Sequence, residues 1–426
     1  MADAAGISKR RTILMAGFIG NVVEWYDFAL YGYMAGIISS LFFPSDSRVA
    51  SLLATYGVFA AGFVMRPIGS ALFGWLGDTI GRSTIMLISV ATMAGPTVAL
   101  GLLPTHASIG IWAPILLVFI RLVQGLSVGG EFSSSVTYLV ETAEPGRRGL
   151  AGAWANVGSL AGMLLGSGLA ALVTTVMDHA ALTAWGWRVP FLLGGVLGLV
   201  AVQLRRDLPK SPHFQKHDDE RPDRAPFRMV LTRNRDEALQ GILFASCYGS
   251  FFYLTLVYLP NWLSEHAGTA LSAAMRANTA ATLFIIPAIF AAAWAGDQLM
   301  RRTHLIAVAL LVAAFIAIPL FHVMAQGGFW IQVAGQFLLA LCLAVPLGAA
   351  PAMFSELFPA EDRLTGYSVA YNLGLGVVGG ATPLIATWLI EVSGSPTVIG
   401  AMLAVVVLTG AAALFWMTDR SREPLR

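Results

Sequence analysis

The sequence predicts an all-α membrane protein, with twelve transmembrane helices arranged as two six-helix bundles. Three observations predict it. Of 426 residues, 57% are hydrophobic and only 12% are charged, whereas a soluble protein carries about 25% charged residues. Twelve apolar runs reach the roughly 20 residues needed to cross the hydrocarbon core. The second six runs also repeat loop motifs of the first six. Two or three soluble domains of this total length would each need a polar skin, and the charge for it is missing. This excludes a cytosolic enzyme, a disulfide-framed secreted scaffold and a nucleic-acid binder. The net charge of +2 points to no acidic partner.

The runs are 13–42, 50–73, 84–103, 112–138, 150–175 and 187–204, then 238–263, 274–295, 304–324, 329–354, 366–390 and 397–417. All far exceed strand length and lack strict alternation, so they read as helices. The first follows Lys9, Arg10 and Arg11, as a signal peptide would. It is too long and too polar at Asn21, Glu24 and Asp27 for that, and reads as an uncleaved span. With the N-terminus inside, the inner segments hold 21 of the 26 Lys and Arg residues. The positive-inside rule then predicts a multi-pass inner (plasma) membrane protein with both termini cytoplasmic. Residues 205–235 form the one long polar stretch, with nine basic and five acidic side chains. They read as a solvated cytoplasmic loop between bundles 1–204 and 236–426.

The halves repeat beneath their hydrophobicity. GWLGDTIGRS (Gly74 to Ser83) follows the second span and AWAGDQLMRR (Ala293 to Arg302) the eighth, matching Asp78 to Asp297 and Arg82 to Arg301. Arg147 and Asn156 are spaced like Arg363 and Asn372, and Gly158 matches Gly374. Such a duplication implies a pseudo-two-fold axis along the membrane normal, with a solute site between the halves near mid-membrane.

Charges within the spans carry the chemistry, because an ionised group at mid-membrane costs about 2.5–3.5 kcal/mol or more. Asn21, Glu24, Asp27 and Tyr31 share one face of the first helix, with Glu24 about 16 Å and Asp27 about 21 Å beyond Ile13. Arg121, Gln124, Glu131 and Ser135 share a face of the fourth. Glu24 and Asp27 repel each other in oil, which favours proton uptake by at least one. The reading assigns proton coupling to Asp27 or Glu24, with Glu131 as a further candidate. Arg121 either modulates the proton site or holds a substrate carboxylate. A static ion pair between helices one and four is the structural alternative. The second half has no charge well inside a helix. Tyr248 and Phe252 at helical spacing, with Gln336 and Asn372, are its candidate substrate contacts, beside Asn21, Tyr31, Arg121 and Gln124 in the first half. An aromatic stripe also suits plain packing.

Other patterns are dismissed. Gly374, Gly376 and Gly379 form a GxGxxG inside an apolar span, with no strand before it. The GxxxG steps at Gly158, Gly162 and Gly166 predict close helix packing within a bundle. Cys247 and Cys342, the only cysteines, offer no zinc spacing and read as small buried side chains. No metal, cofactor or Walker lysine loop is expected, nor is enzyme chemistry.

The repeated loop motif resembles that of the major facilitator superfamily. Within it, four segments resemble the metabolite:proton symporter family: GNVVEWYDFALYG (Gly20 to Gly32), FVMRPIGSALFGWLGD (Phe63 to Asp78), RLVQGLSVGGE (Arg121 to Glu131) and RRDLPKSPHF (Arg205 to Phe214). The resemblance implies the major facilitator fold and proton-coupled uptake of small organic acids (citrate, 2-oxoglutarate, shikimate) or zwitterions (proline, betaine). It further implies that Asp78, Arg82, Asp297 and Arg301 gate the inner face, holding the halves together when the outside is open. Glu141, Arg147, Arg148, Glu356 and Arg363 are expected to join that network, and Arg66 with Glu131 to clamp near the inner gate. Osmosensing members carry a C-terminal coiled coil; the nine or so residues after the last span favour a carrier of another kind. The expected function is a symporter importing a small organic acid or zwitterion by alternating access, as a monomer whose partners are its solute, protons and lipid. Proton-antiport efflux of an amphipathic cation, or a transceptor that senses without transporting, are the alternatives.

Overall fold

The computed structural model describes residues 2–46, 48–206 and 234–425; among those, the side chains of Asp78 and Arg82 lie outside the described residues. Among the described residues, twelve long helical segments follow one another. They are α1 (Ala2–Phe42), α2 (Arg48–Ile80), α3 (Arg82–Leu102), α4 (Trp112–Glu141), α5 (Arg148–Val176) and α6 (Arg188–Arg206). Then come α7 (Arg235–His266), α8 (Leu271–Gln298), α9 (Arg302–Gln326), α10 (Phe329–Leu357), α11 (Arg363–Ser393) and α12 (Val398–Trp416). Among the described residues, eleven of these are long and apolar enough to cross a membrane, and α2 is the remaining long helix. Helices dominate because a backbone in hydrocarbon must satisfy its own hydrogen bonds. Prolines at 67, 96, 287, 319, 346 and 351 sit inside them, as transmembrane helices tolerate when neighbours restore the lost bonds.

Two compact units result. One comprises Met1–Thr142 and Trp154–Arg224; the other comprises Ala143–Ala153 and Ala225–Arg426. Most of the expected central loop, residues 207–233, lies outside the described residues, but its first residue does not. Arg205, expected in the loop, forms the last turn of α6 and is 1% exposed.

In the first unit, lipid supplies no hydrophobic drive between helices, so close approach of small residues holds them. A Cβ at Gly158, Gly162 or Gly166 would lie 2.4–2.6 Å from the carbonyl oxygens of Phe18, Val22 and Tyr26. The GxxxG pattern is thus the α5–α1 seam. The α4–α2 seam is built alike, with Gly125 against Gly62 O and Gly129 against Arg66 O, at 2.2 Å each. Tyr26, Leu30, Tyr31, Met34 and Phe42 of α1 pack with Trp187, just before α6, and with Phe191 of α6. Gly81 breaks the backbone between α2 and α3 at φ 101°, a conformation that favours glycine.

In the second unit, α7 and α11 each contain a π-helical turn, Tyr253–Tyr258 and Asn372–Gly379. The helices meet where Gly249 faces Leu375 and Gly374 faces the Ile242 carbonyl. The GxGxxG motif is therefore a packing surface. Cys247 and Cys342 are free and buried.

Candidate functional site

The expected face of α1 is buried inside the first unit, not turned to lipid. Glu24 is 3% exposed, Asp27 1% and Arg121 5%. With Phe28, Phe63, Arg66 and Gln124 they line a cavity of about 40 Å³, room for about three waters.

Asp27 is held on every side. Arg121 Nη1 donates to its Oδ2 at 2.6 Å, while Thr97 Oγ1 and Gln124 Nε2 donate to Oδ1 at 2.9 and 3.0 Å. Gln124 is itself tied to the pair, accepting from Arg121 Nη1 at 2.9 Å and donating to Thr97 Oγ1 at 2.9 Å. The Arg121 guanidinium also lies 3.7 Å from the centre of the Tyr31 ring, and Tyr31 donates to the Thr55 carbonyl. The helix-face arithmetic on α1 and α4 therefore unites Asp27, Tyr31, Arg121 and Gln124. Thr97 of α3 was not anticipated, because a threonine in an apolar run carries no signal of its own. Arg121 Nε and Nη2 are buried without a hydrogen-bond partner, so this cation keeps unused donors.

Glu24 differs: it lines the same cavity, yet its Oε2 has no hydrogen-bond partner. Arg66 is also buried there. Its guanidinium stands 4.3 Å from the Phe63 ring centre and 6.0 Å from that of Phe28.

Glu131 joins neither group. Arg205 grips it with two bonds, Nη2 to Oε1 at 2.6 Å and Nη1 to Oε2 at 2.9 Å. Arg205 also donates to Ala16 O and Met86 O at 2.8 and 2.6 Å. The expected Arg66–Glu131 clamp is thus a Glu131–Arg205 clamp tying α1, α3, α4 and α6. The pair passes so close to Gly20 that a Cβ there would overlap it, which accounts for the glycine opening the GNVVEWYDF string. Asn21 is likewise spent on packing, donating to Gly17 O at 2.8 Å and Ser135 Oγ at 3.0 Å.

The inner network is described in the second unit, which includes Ala143–Ala153. Asp297 accepts from Arg302 Nη2 at 2.6 Å and from the backbone amides of Gly149 and Leu150 at 2.8 and 2.9 Å. It thereby caps the first turn of α5, where free N–H groups and the helix dipole favour a carboxylate. Glu356 accepts from Arg302 at 2.5 and 2.7 Å and from Arg148 at 2.7 Å. Arg148 is among the arginines expected here, whereas Arg302 takes the place expected of Arg301. Arg301 is exposed, and Arg147 pairs at the surface with Glu144. Arg363 and Glu141 are buried, and Arg363 donates to Ser355 O at 2.9 Å. Asp78 and Arg82, the first-half counterparts, have side chains outside the described residues. The chain after α12 also reaches this network: Arg148 donates to Glu423 O, and Arg422 to Asp297 O, both at 2.5 Å.

The expected second-half contacts divide. Tyr248 is buried in an aromatic stack with Phe244 and Tyr371, and Phe252 is buried against Tyr253. Gln336 of α10 donates to Asn278 Oδ1 at 2.7 Å, and Asn278 to Leu256 O, in the π turn of α7, at 2.9 Å. Gln336 Oε1 is left buried without a partner. Asn372 donates to Ser368 O in its own helix.

The family model for sugar (and other) transporters matches residues 12–242, and that of the major facilitator superfamily matches residues 241–426. A proline/betaine transporter of Escherichia coli K12 is 32% identical, over 98% of this chain and 85% of its own. An ectoine/proline transporter of Corynebacterium glutamicum is 33% identical, over 98% and 86%. Among solved structures, the proton:xylose symporter XylE superposes with a TM-score of 0.81 at 17% identity, covering 98% of both chains, which speaks for the fold alone. With its two matching family models, its full-length relatives and this all-helical fold, the chain belongs to the major facilitator superfamily of multi-pass membrane transporters.

Proposed function

We propose that the chain is a proton symporter that imports a small zwitterion of the proline or betaine kind across the bacterial inner membrane, both termini facing the cytoplasm. Its substrate class is drawn from the relatives, and one observation supports the coupling. Two buried carboxylates share a cavity, one fully bonded and one with an oxygen to spare. Protonating Asp27 would discharge its ion pair with Arg121, so proton uptake there would also loosen its hold on the guanidinium. Glu24 can take a proton at Oε2 without surrendering any bond. A carrier that exchanges protons for movement needs such a site, together with a gate. The network of Asp297, Arg302, Glu356 and Arg148 is our candidate for the inner gate. The contacts first expected at Tyr248, Phe252, Gln336 and Asn372 are retained as the substrate side of the second unit.

A zwitterion carried with one proton moves one net charge, worth about 2.3 kcal/mol per 100 mV, or roughly fifty-fold accumulation. The test is uptake of labelled glycine betaine and proline into proteoliposomes, under an inward proton gradient and an inside-negative potential. Inward current and accumulation that collapses with a protonophore are expected, as is loss of uphill uptake in Asp27→Asn. Uphill uptake intact in Asp27→Asn would remove that residue from the proton path. Uptake indifferent to both gradients would refute symport.

A further inference from the structure

We propose that Arg66 receives the carboxylate of the solute, and that it does so only when Glu24 carries a proton. The proposal rests on the symport reading above and deepens it, moving Arg66 from the gate to the solute site. Arg66 and Glu24 line one cavity from α2 and α1. Among the described residues Arg66 makes no ion pair; the Phe63 and Phe28 rings orient its guanidinium but cannot cancel its charge. Asp27 is committed to Arg121, Gln124 and Thr97. Opposite charges that share a pocket without touching leave space for something between them.

Charge counting supplies the coupling. With both acids ionised, Glu24 and Asp27 balance Arg66 and Arg121. A proton on Glu24 leaves the cavity with one unbalanced positive charge, which is costly in a low-dielectric interior. A bound carboxylate at Arg66 offsets that charge locally; because a zwitterion is neutral overall, its ammonium must come to rest away from the two guanidiniums. The same carboxylate arriving opposite an ionised Glu24 would instead be a third negative charge against two positive ones. Proton and solute therefore favour each other's binding, and by linkage the effect is reciprocal.

The other charges facing Glu24 do not upset the count. Glu131 on α4 and Arg205 on α6 act on it but neutralise each other in their own pair. Between Ser83 and Leu102, and between Leu150 and Val176, α3 and α5 bring no charged residue.

Glycine betaine binding to the purified carrier, measured by calorimetry from pH 5.5 to 8.5, tests this. In the wild type, affinity should fall with rising pH, by up to tenfold per unit, as one proton must be taken up per betaine. Glu24→Gln, a permanently neutral mimic, should bind at all pH values with the low-pH affinity. It should keep betaine counterflow and lose proton-driven accumulation. Arg66→Gln should bind at least tenfold more weakly and without a pH slope, and Arg66→Lys should recover part of both. A wild-type pH slope in Glu24→Gln, or wild-type affinity in a monodisperse Arg66→Gln, would overturn the proposal. If Arg66→Gln does not fold, the Glu24→Gln slope decides alone. A wild type that neither binds nor moves betaine or proline would sink the symport reading itself.

Discussion

The Glu131–Arg205 pair makes a quantitative prediction, because it separates a structural clamp from a proton site. Both side chains are almost wholly buried, at 2% and 1% exposure, and two bonds of 2.6 and 2.9 Å join them. Removing one partner strands the other's charge, which costs about 3–5 kcal/mol. Glu131→Ala should therefore destabilise the protein by about 4 kcal/mol. Arg205→Met should cost at least as much, since it also forfeits bonds to Ala16 O and Met86 O worth about 1 kcal/mol each. Replacing both, as Glu131→Leu with Arg205→Met, removes the stranded charge and should recover most of the loss, because apolar replacement of a whole buried pair is often neutral. The assay is the apparent Tm in detergent, with midpoints of SDS-driven unfolding as a second scale. The double variant should lie well above the sum of the singles. Additive losses, or singles with an unchanged Tm, would refute the clamp. Transport gives the second readout: the double variant should keep wild-type proton dependence. Its loss in a stable double variant would return Glu131 to the proton path.

Two further outcomes are expected. Asp297→Ala removes an ion-pair partner of buried Arg302 and the acceptor for two α5 amides. Because Glu356 still holds Arg302, the cost should fall near the low end for a buried pair, about 3 kcal/mol, read as a lowered Tm. At Asp419, just beyond α12, burial alone would raise the carboxyl, but hydrogen bonds from Ser421 and Thr303 outweigh it and hold the pKa below the usual 3.8. A depressed acid stabilises the fold above its unfolded pKa and loses that contribution as pH falls through the folded value. The Tm gap between wild type and Asp419→Asn should hold steady above about pH 5 and close below about pH 4.

What the sequence made legible follows the physics of hydrocarbon. Twelve helices could be read because only helices and closed β-barrels span a bilayer, and runs this long without strict alternation do not suit barrel strands. The Asp27–Arg121 pair could be read because a charge in oil needs a partner and helical periodicity limits the choice. Arg205 was not legible: a basic residue at the end of a span is what the positive-inside rule leads one to expect, so its burial left no mark. Arg302 pairs with Asp297 where the repeat pointed to Arg301, because adjacent arginines differ only in where α9 starts, a matter of one residue at a helix end. Thr97 and the π turns of α7 and α11 stayed hidden because their sequences look like any other apolar helix.

The seam between α1 and α5 bears on how this carrier could be retuned. Along it, peptide groups rest directly on Gly158, Gly162 and Gly166, leaving no side chain to trim or enlarge. Selection for a new cargo, in nature or in the laboratory, would find little purchase on that flank of α1. Adaptive substitutions should instead collect on the opposite flank, where α2 and α4 offer Phe63, Arg66 and Gln124 as exchangeable parts. Libraries confined to those positions should yield altered specificity while the glycine ladder stays unchanged.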